Sequence, residues 1–234
     1  MRHRFSNSIS YLPSTVVLLL IIVSLGYRPN PVALAIVTKI IQDVTKKSET
    51  ADWTKAAKGD ALVAGDHVRT GEKSLAVLKF MDKSLVRVRE QSEVKITGEV
   101  TGGSLTKTIQ LEKGGFGFDI RKQQNERFQF TSPTSVASIR GTSGTWVSIL
   151  ANDTLVNIAG LIDLLNRIAN QSINVPVGYI AFSGSDGSLS SRQATPEELA
   201  AARNLVSGGA PDELNLEMRD SKGNKKDFKI RFKQ

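Results

Sequence analysis

Apolar and polar positions alternate with a period of two along most of the chain, which predicts short β-strands separated by glycine-containing breaks. Ile36–Val44 predicts a first strand. A polar loop at Lys46–Asp52 follows, and then Trp53, expected to cover one end of the core. Gly59-Asp60 and Gly65-Asp66 bracket Ala61–Ala64 as turns, because glycine tolerates positive φ and aspartate caps its own backbone. Leu75, Val77, Leu85, Val86 and Val88 keep the two-residue period around Met81–Ser84, the pattern of a hairpin and its turn. Val94–Thr97, Leu105–Leu111 and Phe116–Ile120 predict further strands, divided at Gly98, Gly102-Gly103 and Gly114-Gly115. Phe128–Ile149 predicts two strands meeting at a tight corner. Phe128, Phe130, Val136 and Ile139 precede the break Gly141–Gly144, and Trp146, Val147 and Ile149 follow it. Pro133 has no N–H to give a ladder, so it belongs at a strand start or an edge.

The C-terminal third is less uniform. Leu161–Ala169 has the apolar spacing of an amphipathic helix, and Val175–Tyr179 predicts strand, turn and strand. Thr195-Pro196-Glu197-Glu198 is a helix start: Thr195 as N-cap, proline at the first position and Glu198 completing a capping box. That helix is expected to run to about Val206 and stop at Gly208-Gly209. Leu214–Met218 and Phe228–Phe232 then alternate around Ser221–Asn224, a hairpin with one apolar face that needs covering.

Composition adds compartment and charge. The N-terminus has a basic start at Arg2 and Arg4, an apolar run from Val16 to Leu25 and small residues at Ala33-Leu34-Ala35, the pattern of a signal peptide over residues 1–35. The alternative is an uncleaved signal anchor using Tyr11–Tyr27. On either reading the rest is exported, to the periplasm or beyond. The 234 residues contain no cysteine, so no disulfide, lipidated cysteine, thiol nucleophile or thiolate metal site exists, and the fold rests on its apolar core. The net charge of +8 is unevenly placed. Residues 36–218 carry 21 basic and 21 acidic side chains, whereas residues 219–234 carry seven and two. Lys225, Lys226, Lys229, Arg231 and Lys233 of that tail are candidate contacts for an anionic partner, or a solvated strand face protected from edge pairing by its lysines. Phe228 and Phe232 fall on the opposite strand face, so aromatic residues do not interleave on the basic face and nucleic acid is not an expected partner.

Candidate chemistry is sparse. His67, next to Asp66, has no placed nucleophile and falls short of a triad. Asp60, Asp66 and Asp82 are read as turn caps. Gly114–Phe118 lacks the spacing of a phosphate loop, the Ser183–Ser191 stretch is a loop without a nucleophile elbow, and Asp186 lacks partners for calcium. The expectation is a non-enzymatic protein with no cofactor and no metal.

Two blocks carry a family resemblance. The run TSPTSVASIRGT (Thr131–Thr142) resembles the TP-x-x-x-A-x-x-RGT core of the FecR domain, and Gly59–Val88 resembles that family's upstream L-x-x-GD-x-V-x-TG and F-x-D-G-S block. The matching positions are Gly65, Asp66, Thr70, Gly71 and Asp82 upstream, with Pro133, Arg140, Gly141 and Thr142 in the core. Departures are Lys83, where the family has glycine, and Ser143-Gly144-Thr145, which intervene before Trp146. The resemblance covers residues 36–193 and implies an all-β domain, a twisted solenoid-like arrangement or open sandwich of short strands. It also implies strands, not helix, from Thr154 to Phe182. Residues 194–234 add a helix and a basic β-hairpin. Within the motif Arg140 is expected to clamp the corner, its guanidinium held by backbone carbonyls; contact with a ligand or partner is the alternative.

For function, the resemblance implies an exported binding or scaffolding module for a protein or envelope polymer. The alternative is a membrane-anchored signalling component related to sigma/anti-sigma control of iron uptake. In the founding members such a domain relays a receptor's state to a cytoplasmic sigma factor. Only about 15 residues precede the apolar run here, so that relay is not carried over.

Overall fold

The computed structural model describes residues 32–122, 126–207, 213–219 and 225–231. The leader up to residue 31, the Gly208-Gly209 stop, the Ser221–Asn224 turn and Lys233 lie outside the described residues.

The strands are β1 (Ala35–Ile41), β2 (Val44–Lys47), β3 (Thr54–Lys55), β4 (Ala61–Leu62), β5 (His67–Thr70) and β6 (Leu75–Phe80). There follow β7 (Leu85–Val88), β8 (Glu93–Thr101), β9 (Ser104–Asp119), β10 (Glu126–Thr131), β11 (Ser135–Ile149) and β12 (Asn152–Asn166). After β13 (Gln171–Val175), β14 (Tyr179–Ser183) and β15 (Leu189–Gln193) comes one helix, α1 (Pro196–Ser207). Strands β16 (Glu213–Arg219) and β17 (Lys225–Arg231) form a separate antiparallel hairpin, with Lys229 opposite Asn215 and Arg231 opposite Glu213. The chain is therefore mostly β, with one C-terminal helix, and its main sheet is open.

Three long strands run through both layers of a sandwich. Residues 104–113 of β9 lie between β8 and β10, while residues 116–119 lie between β7 and β11. The start of β11 pairs with β10 and its end with β9; the start of β12 pairs with β14 and its end with β13. One layer thus has the order β4-β1-β6-β7-β9-β11-β12-β14-β15, and the other β3-β2-β5-β8-β9-β10-β11-β12-β13. The two inner faces meet through aromatic side chains. Phe80 packs on Phe128 at 4.9 Å between centroids, Phe116 and Phe118 pack on Phe130 at 4.8 and 4.7 Å, and Trp146 is fully buried beside them.

The strand continuity differs from the sequence reading at several places, and Gly98 lies inside β8 instead of dividing two strands. Ile36–Val44 is two strands, because Gln42 adopts a positive φ of 55° and the chain passes from one layer to the other. Gly114-Gly115 does not end a strand: Gly114 (φ 82°) makes an irregularity inside β9, locked by Ser92 Oγ, which accepts from Gly115 N at 2.9 Å. Gly141–Gly144 likewise bends β11 without breaking it. The expected loop at Ser183–Ser191 is a tight turn followed by β15. Leu161–Asn166 is strand, as the family resemblance implies, with a turn before β13.

Trp53 does not cover the core. It is half-buried outside it, with the Arg69 guanidinium carbon 3.9 Å from its ring centroid and His67 edge-on at 6.2 Å. The capping box forms as read. Glu198 N donates to Thr195 Oγ1 at 3.2 Å, and Thr195 N donates to Glu198 Oε2 at 2.8 Å. Ala202 and Leu205 of α1 then cover Val147, Val156 and Ile180 on the outer side of the first layer. Gly117 allows the approach, since a Cβ there would lie 2.7 Å from Leu205 O.

The boundary expected at residues 35 and 36 falls at the start of β1. Leu34 and Ala35 are core residues, and Leu34 N donates to Leu62 O at 2.8 Å.

Candidate functional site

The Arg-Gly-Thr segment is a β-bulge. Arg140 pairs with Leu161 and Ser143 with Ala159, so Gly141 and Thr142 oppose the single residue Gly160. Gly141 (φ 58°) and Gly160 (φ 84°) take the left-handed conformations this requires. Thr142 is buried. Its N–H donates to Ile120 O at 3.0 Å and its carbonyl accepts from Ile120 N at 2.8 Å. Its hydroxyl lies 3.1 Å from Arg140 O and 3.0 Å from Leu161 O. The clamp at the corner is therefore threonine, not Arg140. Replacing Thr142 with the isosteric valine should lower unfolding free energy by about 1–3 kcal/mol in a urea titration. A loss below about 0.5 kcal/mol would mean that the hydroxyl does not hold the corner.

Arg140 itself is exposed, contrary to the expected carbonyl-held guanidinium. The bulge leaves it on the outer face of the second layer, where it lines an open groove of about 810 Å³. Arg127, Gln129, Ser138, Leu161 and Asp163 share the groove, and Gly102-Gly103 of the β8–β9 turn stand at its rim. None of the other expected motif positions lies in it. Gly65 (φ 96°) and Asp66 make a turn in which Asp66 Oδ2 accepts from Val63 N at 2.8 Å. Thr70 Oγ1 accepts from Ser92 N at 3.1 Å and hydrogen-bonds Arg89 O, and Gly71 N donates to Asp43 O at 2.9 Å. Pro133 is exposed in the turn before β11.

Asp82 does more than turn the chain. Its Oδ1 accepts from Ser84 N at 2.9 Å, with Lys83 taking the φ of 70° that a glycine would take. Its Oδ2 lies 3.0 Å from Lys107 Nζ, out of line for a hydrogen bond, and Lys107 also contacts Glu126 Oε2 at 2.5 Å. Lys107, 2% exposed, joins the turn of one layer to the strand of the other that bears Arg127.

The remaining polar clusters are structural. Ser132 Oγ donates to the buried Asp153 at 2.5 Å and accepts from Thr134 and Ser135 N–H, closing the β10–β11 turn. Burial, helped by the charges of Lys47 and Lys95, lowers the His67 pKa below the ordinary histidine value. No cluster of three or more metal-ligating side chains occurs among the described residues.

Sequence reading missed Arg127, Gln129, Leu161 and Asp163. The signal was present for the first two, because the polar residues alternating with Phe128 and Phe130 must face away from the core. Leu161 and Asp163 join only through pairing of distant strands.

Residues 66–159 match the sequence model of the family described as FecR protein. No curated protein matches the chain. Two crystal structures of a candidate anti-sigma factor from Parabacteroides distasonis ATCC 8503 resemble it, each at 9% identity and a TM-score of 0.49 over 58% of this chain. The aligned part is 63% and 62% of those chains, so this protein spans less than two thirds of their length.

Proposed function

We propose that this protein, whose residues 66–159 match the FecR family model, is a FecR-type regulatory component of the cell envelope that acts by binding a protein partner in the Arg140 groove. The observation that carries the reading is the division of labour at the Arg-Gly-Thr bulge. Thr142 holds the corner, which leaves Arg140 displayed on a polar groove. An exposed arginine supported by rigid strands can anchor an interface, because its planar fork loses little freedom on pairing. Ser138 faces Asp163 across the β11–β12 ladder, but neither histidine nor cysteine lines the groove, so binding suits it better than catalysis. The basic start at Arg2 and Arg4 before the apolar run supports an envelope location. No helix among the described residues is long and apolar enough to cross a membrane.

Pull-down from envelope extracts with the wild-type chain, Arg140→Glu and Lys58→Glu tests this. At least one protein should be retained by the wild type and by Lys58→Glu, and lost about tenfold or more with Arg140→Glu. Equal retention by all three chains would remove the groove from the interface. Co-sedimentation with peptidoglycan that ignores the Arg140 change would point to an envelope polymer held elsewhere.

A further inference from the structure

We propose that Arg127 and Arg140 together form an anion clamp for the carboxylates of an extended acidic segment of a protein partner; this rests on the groove reading above and adds the chemistry of what the groove takes. The β10–β11 register pairs Phe128 with Ile139. The paired positions end there, and continuing the register by one residue sets Arg127 across from Arg140. Both are exposed and both line the groove.

Adjacent strands lie about 4.8 Å apart, and like charges directly opposite each other on one face destabilise a sheet. Among the described residues neither arginine forms an ion pair. Of the groove's carboxylates, Glu126 is engaged by Lys107, and Asp163 sits opposite Ser138 and only diagonal to Arg140. The fold therefore holds two guanidinium forks on one groove, neither of them in an ion pair, an arrangement suited to an anion that both can reach. Each fork suits a carboxylate in the bidentate geometry.

The surroundings select a peptide. Leu161, directly opposite Arg140 in the ladder and 56% exposed, offers an apolar contact next to the charges. Gln129 and Ser138 on the floor can bond a backbone. Glu126 and Asp163, which also line the groove, repel a uniform polyanion, so a phosphate-rich polymer fits less well than a segment with spaced acids. Alternate side chains of an extended segment project to one side about 6.7 Å apart, within reach of the two arginines.

The test uses a fluorescein-labelled peptide of alternating Glu and Leu, a Lys-Leu peptide and polyphosphate, with fluorescence anisotropy on the full chain and on Arg127→Gln, Arg140→Gln and the double variant. The Glu-Leu peptide should bind the wild type and not the double variant, each single change should weaken binding about tenfold, and added salt should weaken it further. Leu161→Ser should weaken it with the arginines intact, and the Lys-Leu peptide should not bind. Arg127→Gln should also raise the Tm by about 1–3 °C, because it relieves the opposed charges. A purely structural arginine would instead give a fall. No binding by the wild type, or binding by the double variant within about twofold of wild type, would overturn the clamp. Polyphosphate binding as tightly as the peptide, with the same losses, would overturn the acidic segment in favour of an anionic polymer. If the peptide fails while the pull-down still depends on Arg140, only the carboxylate chemistry falls; if the pull-down ignores Arg140, the groove itself falls.

Discussion

Lys107→Ala is expected to lower the unfolding free energy by about 3–5 kcal/mol, read from urea titrations followed by circular dichroism. Lys107 Nζ is enclosed between Asp82 and Glu126, whose side chains are 12% and 35% exposed. Removing the ammonium leaves the Asp82 carboxylate mostly out of water with no compensating charge, and leaves a cavity beneath Phe128, on the neighbouring strand. Glu126 is exposed enough to be rescued by solvent, so most of the cost falls on Asp82. That assignment is checked by Lys107→Met/Asp82→Asn, which removes both charges and should recover a large part of the loss. A cost near that of a surface pair, below about 1 kcal/mol for Lys107→Ala, would show that water reaches the site.

The second large effect is expected at the bulge. Gly160→Ala places a Cβ 2.1 Å from Gly141 O, 2.6 Å from Thr142 Oγ1 and 2.8 Å from Thr142 Cα, where the nearest atom is backbone and cannot rotate away. The left-handed φ of 84° adds strain of about 1–2 kcal/mol and the overpacking about 1–3 kcal/mol, for a loss of about 3 kcal/mol or more. Gly102→Ala is the control. It also has positive φ, 60°, but a Cβ there meets nothing within 4 Å. It should lose only about 1 kcal/mol. Equal losses at the two glycines would mean that close approach at the bulge does not matter. Because the clash falls on Gly141 and Thr142, Gly160→Ala should also disturb the placement of Arg140, and weaker binding in the groove is expected alongside the instability.

Local interactions made much of the chain readable. The Thr195–Glu198 capping box, the Asp66 turn and the alternation through Phe116–Phe118 and Phe128–Phe130 depend on groups within a few residues of one another, so the amino acids alone determined them. The Arg-Gly-Thr segment was also legible as a tight corner with a glycine-rich break. Its internal roles were not. Whether Arg140 or Thr142 faces the carbonyls depends on how Gly141 and Thr142 oppose Gly160, a match made between strands about 20 residues apart. The same reason explains β9 and β11. A glycine with positive φ serves a turn or a bulge equally well, and only the partner strands decide which. The period of two already puts Lys107 on the apolar face with Leu105, Ile109 and Leu111, but only the folding of the Asp82 turn and Glu126 around it shows how its charge is met. The sequence by itself determined an all-β chain with its caps and its turns. Tertiary structure alone decided strand continuity, the carboxylate partners of the buried lysine and the meeting of the two arginines in one groove, because each depends on pairing between segments that carry no local record of one another.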